Sequence, residues 1–157
     1  MRQIFILACV LFSYAQSIGQ SYFPGILSEK DRANVIENIL EDRIDHLLPK
    51  LMAREGIDMW IIISREYNED PVMKTMLPPT WLAARRRTIM VFYHPGPSAP
   101  MEKIAIARYS VGRLLKGSWD IDVFPDQWEA LISLIEEKQP QKIGLNFSKD
   151  FGLADGL

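Results

Sequence analysis

The chain has 157 residues, 48% of them hydrophobic and 24% charged, a composition that excludes intrinsic disorder and provides a real core. Eighteen basic against twenty acidic side chains leave a formal charge of −2, which gives no electrostatic case for nucleic acid or an anionic membrane as partner. The length allows one ordinary domain and excludes two large ones.

Residues 1–19 read as a secretory signal peptide. Arg2 supplies the positive start, and Ile4 to Phe12 form an apolar run of nine. Small residues place the cleavage point after Ala15 or after Gly19. Nine apolar residues are too few for a permanent membrane anchor. The only cysteine, Cys9, lies inside this run, so the mature chain, 20–157, offers no disulfide, thiol nucleophile or thiolate ligand. A lipoprotein reading of I-L-A-C is disfavoured by the short apolar stretch before the cysteine. An exported chain without disulfides fits a bacterial periplasmic or secreted protein.

Ser28 to Asp31 resembles a capping box, with Asp31 shorter than the usual Glu or Gln. Val35, Ile36, Ile39, Leu40, Ile44, Leu47, Leu48, Leu51 and Met52 then recur in steps of three and four, one apolar stripe along a helix. Pro49 predicts a kink or break in it. Gly56 fits the C-terminal cap, and Ile57 to Ser64 reads as a strand buried on both faces. After a short helical turn between Val72 and Met76, Arg87 to Tyr93 is the second strand and His94 to Pro100 a loop or wide hairpin. Glu102 to Tyr109 alternates as a third strand, antiparallel to the second. Trp119 to Phe124 reads as a short fourth strand. Asp126 caps a helix that ends before Pro140, and Lys142 to Ser148 is a fifth strand. The sum is an α/β fold, a mixed sheet of about five to six strands with flanking helices.

Candidate chemistry centres on W-I-I-I-S-R-E-Y-N-E-D-P, where an apolar strand opens into Ser64, Arg65, Glu66, Tyr67, Asn68, Glu69 and Asp70. Paired carboxylates can divide acid and base roles, but Glu66, Glu69 and Asp70 also fit a solvated loop. Ser64 lacks the G-x-S-x-G elbow of a nucleophile. Polar residues at a strand end do often line a binding crevice. Asp42 and His46, four apart, fit a helix-surface pair better than a metal site, and His94 a solvated turn. Arg85 to Arg87 are expected to pair with nearby carboxylates. No G-x-G-x-x-G or P-loop occurs. From the residues alone there is no complete active site.

Three strings, with the order of the elements, carry a family resemblance. They are R-I-D-H-L-L-P-K-L-M-A-R-E-G-I-D-M-W-I-I-I-S (Arg43 to Ser64), R-R-T-I-M-V-F-Y-H-P-G-P (Arg86 to Pro97) and K-I-G-L-N-F-S (Lys142 to Ser148). They resemble the N-terminal domain of the creatinase, prolidase and Xaa-Pro aminopeptidase metallopeptidases. The closing L-A-D-G-L is similar to the link into the catalytic domain of that family. The resemblance implies a non-catalytic domain that shapes active-site access and supports a homodimer. Two divalent metal ions (Mn, Zn or Co) would belong to a catalytic domain beyond this chain, held by two Asp, one His and two Glu. It further implies a peptide substrate for the full-length enzyme, and a substrate-access rim at Arg65, Glu66, Tyr67 and Asn68. The sequence departs from the family where Tyr67 precedes Asn68 and E-D-P-V follows. The alternative is a stand-alone periplasmic α/β binding or interaction domain without catalysis.

Overall fold

The computed structural model describes residues 25–66, 70–96 and 99–146. The chain divides into two units, 1–31 and 32–157. In the first, Ser28 Oγ accepts the Asp31 backbone N–H at 3.2 Å and donates to Asp31 Oδ2 at 2.6 Å. This is the anticipated cap, with the aspartate reaching back to the serine hydroxyl. Helix α1 starts there and runs Glu29–Asp42.

In the second unit the expected break takes the form of a wide π-helical turn, Arg43–Leu47, followed by α2, Leu48–Glu55. The Leu48 N–H donates to Arg43 O, five residues back. Pro49 has no N–H, so it fits the first turn of α2 and leaves the distortion just upstream of itself. Gly56 closes α2 with a left-handed φ of 63°, and the Ile57 N–H returns to Met52 O at 2.8 Å. That closure uses Ile57. Asp58 in turn accepts the Gln141 and Lys142 N–H groups through Oδ2, at 2.7 and 3.1 Å. The first strand, β1, therefore spans Met59–Arg65 and not 57–64.

Helix α3, Pro71–Met76, precedes β2, Arg87–Tyr93, which falls on its predicted bounds. Strand β3 is shorter than its alternation implied, Glu102–Ala105. The Ile106 N–H still donates to Ile89 O of β2 at 3.0 Å, and on the other side the Ala105 and Ala107 carbonyls accept from Ser118 and Trp119 at 2.9 and 3.1 Å, but the regular ladder ends at Ala105. The predicted strand Trp119–Phe124 is a turn, and β4 is the two-residue Lys116–Gly117 just before it. Asp120 is the cause. Its Oδ1 accepts the Asp122 N–H at 2.9 Å and its carbonyl accepts the Phe124 N–H at 2.9 Å, while the Trp119 indole donates to Phe124 O at 2.8 Å. Local bonds of this kind compete with a ladder. Helix α4, Gln127–Lys138, is capped by Asp126 as expected, with Oδ1 accepting the Trp128 N–H at 2.6 Å. Strand β5 is Ile143–Leu145; Phe147 and Ser148 of the predicted strand lie outside the described residues.

The result is a five-stranded mixed sheet in the order β4-β3-β2-β1-β5. β1 pairs antiparallel with β2 from Met59↔Tyr93 to Arg65↔Arg87, β2 antiparallel with β3, and β5 and β4 add parallel to β1 and β3. Ile62, Met90 and Phe92 meet Leu40, Ile44, Leu48, Met52, Met73 and Met76 on one face. Met59, Ile61, Ile63, Ile89 and Val91 meet Ala130 and Leu131 of α4 on the other. A sheet covered on both faces needs unbroken apolar runs, which is why β1 and β2 do not alternate. Each such side chain, fully buried, contributes about 1.5–3 kcal/mol.

The long stripe is only half used. Leu40, Ile44, Leu48 and Met52 are buried, whereas Val35, Ile36, Ile39 and Leu47 stay 44%, 47%, 52% and 48% exposed.

Candidate functional site

β1 and β2 end side by side, and the residues just beyond their last pair form the floor of a cleft. The Glu66 N–H donates to Arg86 O at 2.6 Å, and the Arg86 N–H donates to Glu66 Oε2 at 3.2 Å. This exchange holds Arg86 at a φ of 51°, a left-handed conformation that a long side chain seldom adopts. Beside it, Thr88 Oγ1 accepts the Arg85 N–H at 3.1 Å and donates to Arg85 O at 3.2 Å. Gln127, buried at the start of α4, donates through Nε2 to Ile106 O at 2.5 Å and Arg87 O at 3.2 Å. One amide thus ties a helix to two strands at the level where the ladder stops.

The cleft has a volume of about 670 Å³, and its lining includes Glu66, Arg85, Arg86, Arg87, Arg108 and Trp119. The expected pairing of Arg85 to Arg87 with nearby carboxylates is not seen among the described residues. Among the described residues none of the four has a carboxylate within ion-pair distance. Three rest on aromatic rings instead: Arg85 on Trp81 at 4.7 Å, Arg87 on Trp128 at 4.8 Å and Arg108 on Trp119 at 6.0 Å. The flat, weakly hydrated guanidinium suits that arrangement. Arg87 Nε is buried with no hydrogen-bond partner among the described residues.

The structure describes four of the seven polar residues that the sequence grouped together, Ser64, Arg65, Glu66 and Asp70. Arg65 and Glu66 are exposed at the end of β1, Glu66 in the cleft; Tyr67, Asn68 and Glu69 lie outside the described residues. Ser64 is fully buried, and its Oγ accepts the Asp70 N–H at 3.2 Å, which makes it a loop closure. Asp70 caps α3 by accepting the Val72 N–H at 2.5 Å, and its other oxygen accepts from Asn146 Nδ2 at 3.1 Å. Asn146 Oδ1 in turn accepts from the Trp60 indole at 2.9 Å. Asp70 therefore serves structure, away from Glu66.

The chain matches no family model, no curated protein and no solved structure.

His46 Nδ1 lies 3.0 Å from Asp42 Oδ1, both side chains exposed on one helical turn, as their spacing predicts. His94 is half-buried and not simply solvated, its Nδ1 accepting the Gly96 N–H at 3.3 Å. Among the described residues no three His, Cys, Asp or Glu side chains converge as metal ligands. No described helix is long and apolar enough to cross a membrane. Sequence reasoning missed the contributions of Arg108, Trp119 and Gln127 to the cleft. The R-R-R run and Glu66 at the end of the first strand signalled the site, and their partners come from segments that the sheet order brings together.

Proposed function

We propose that this chain is a non-catalytic accessory domain of an exported metallopeptidase of the Xaa-Pro aminopeptidase type, shaping peptide access to a catalytic domain beyond Leu157. The observation that supports it most is the Arg43–Ser64 segment, the longest string of the resemblance. It forms a broken helix, a left-handed Gly56 and a strand buried on both faces. The polar end of β1 opens on a cleft, which is in keeping with a rim at Arg65 and Glu66. The paired metal ions and the hydrolytic step belong to the catalytic domain in this reading. Homodimerisation is part of the same proposal, supported by the exposed stripe of Val35, Ile36, Ile39 and Leu47.

The nucleotide sequence past codon 157 tests the reading. Continuation into spaced Asp, Asp, His, Glu and Glu codons is expected, and a stop codon overturns it. The purified chain is expected to hydrolyse no Xaa-Pro dipeptide. Sedimentation should give a dimer that Ile39→Lys weakens; a monomer at every concentration removes the dimer.

A stand-alone binding domain is the second reading, favoured by the arginine-lined cleft itself. It predicts ligand binding by the isolated chain whatever follows the last codon.

A further inference from the structure

The cleft concentrates charge against the trend of the whole molecule. The chain is net acidic at −2, yet four arginines and one glutamate face this single hollow. Low-dielectric walls such as Trp119 and Ile121 focus the field of those charges into it. About 670 Å³ also lies within the usual range of small-ligand sites.

The way the arginines are held matters as much as their number. A guanidinium held by a ring instead of a carboxylate keeps its N–H donors uncommitted to an acid, and those donors form the fork that fits two oxygens of one anion. Salt bridges would have consumed those donors; the tryptophans fix the forks in place without doing so. Arg87 Nε adds a buried donor without an acceptor among the described residues, a condition that is rare in folded proteins. Among the described residues Glu66 is the one acid in the lining, and its Oε2 is occupied by the Arg86 N–H.

We propose that the cleft binds a small, multiply charged oxyanion, gripped by the forks of Arg86, Arg87 and Arg108. Phosphate and carboxylate groups share the chemistry required, paired oxygens with spread negative charge. This inference does not rest on the accessory-domain reading and concerns only residues of this chain.

Calorimetric titration of the full chain with inorganic pyrophosphate and, separately, with citrate tests it, ionic strength being held constant because exposed charges are screened by salt. Saturable one-to-one binding of either, with a dissociation constant below about 1 mM, is the expected result. Tighter pyrophosphate binding supports a phosphate-type ligand, and tighter citrate binding supports a carboxylate-type ligand.

Two variants locate the site. Arg86 has no ring contact among the described residues, so Arg86→Met removes a charge while the stacked arginines stay in place. Arg108→Lys keeps the charge and removes the fork. Each should weaken binding by about tenfold or more, the worth of one charged hydrogen bond. Arg54→Met, on the exposed Arg54–Glu55 pair, should leave binding unchanged. Circular dichroism checks that each variant folds. No saturable binding of either anion overturns the proposal, as does wild-type affinity in both folded cleft variants.

Discussion

At the scale of single residues, two glycines act for different reasons. Gly56 has φ 63° and open space where a Cβ would stand, so Gly56→Ala meets only the backbone penalty of a left-handed residue. The expected loss is about 1–2 kcal/mol by urea unfolding. Gly117 has no such conformation, but a Cβ there would lie 2.6 Å from the Tyr109 carbonyl carbon and 2.7 Å from its oxygen. Since backbone cannot swing aside, Gly117→Ala should cost more than Gly56→Ala; equal losses would contradict this assignment. Gln127 makes a third case, because its amide satisfies two backbone carbonyls, Arg87 O in β2 and Ile106 O just past β3, from inside the protein. Gln127→Leu keeps the volume and strands both acceptors, so a loss of about 1–3 kcal/mol is expected from the same unfolding measurement.

At the scale of elements, a sequence exposes those features that depend on neighbours along the chain. The bounds of β2 were legible because Arg87 to Tyr93 is an apolar run between punctuating residues, and the caps at Ser28, Gly56 and Asp126 were legible because capping is local. W-D-I-D-V-F misled because alternation also arises when an aspartate folds a turn around itself, as Asp120 does. The end of β3 was hidden for another reason: whether Ile106 continues a ladder depends on a segment more than ten residues away. The cleft was half legible. Arg85 to Arg87 marked it, but their partners Trp81, Trp128 and Glu66 come from separate elements, which the sequence does not place beside them. Ser64 and Asp70 looked chemical because loops at strand ends often are, yet closing such a loop also calls for polar side chains.

At the scale of the whole molecule, α4 is fastened to the sheet at both ends. Gln127 holds its start, and at its end Lys138 Nζ lies 2.8 Å from Glu102 Oε2 on β3 and 3.1 Å from Glu137 Oε1. Hydrogen bonds to Glu102, then to Glu137, hold the Lys138 ammonium above its ordinary value of 10.5, against some desolvation. A raised pKa means that the folded state binds this proton more tightly. The stabilisation is therefore complete below pH 10.5 and is lost as the pH rises through the higher folded value. Solvent screening keeps it under about 1 kcal/mol. Lys138→Met should cost the same at neutral pH and at about pH 9, with the difference from wild type shrinking beyond pH 10.5; a difference that grows there would show the sign to be wrong.

The π-helical turn at Arg43–Leu47 has a consequence for the length of the chain. Successive residues of an α-helix are rotated by about 100°, so positions four apart drift steadily round its surface. Leu40, Ile44, Leu48 and Met52 nevertheless all reach the sheet. They can because the wide turn takes up a surplus residue and returns α2 to the orientation it would have had without it. The helix pair should therefore tolerate being shortened at this place. Deleting exposed His46, with Pro49→Ala so that the proline ring does not clash in the regular helix, should keep a cooperative unfolding transition with both core residues of α2 in place. Loss of that transition would mean that the extra residue is required. If the transition survives, the fold accepts either length of chain at this turn without moving its core.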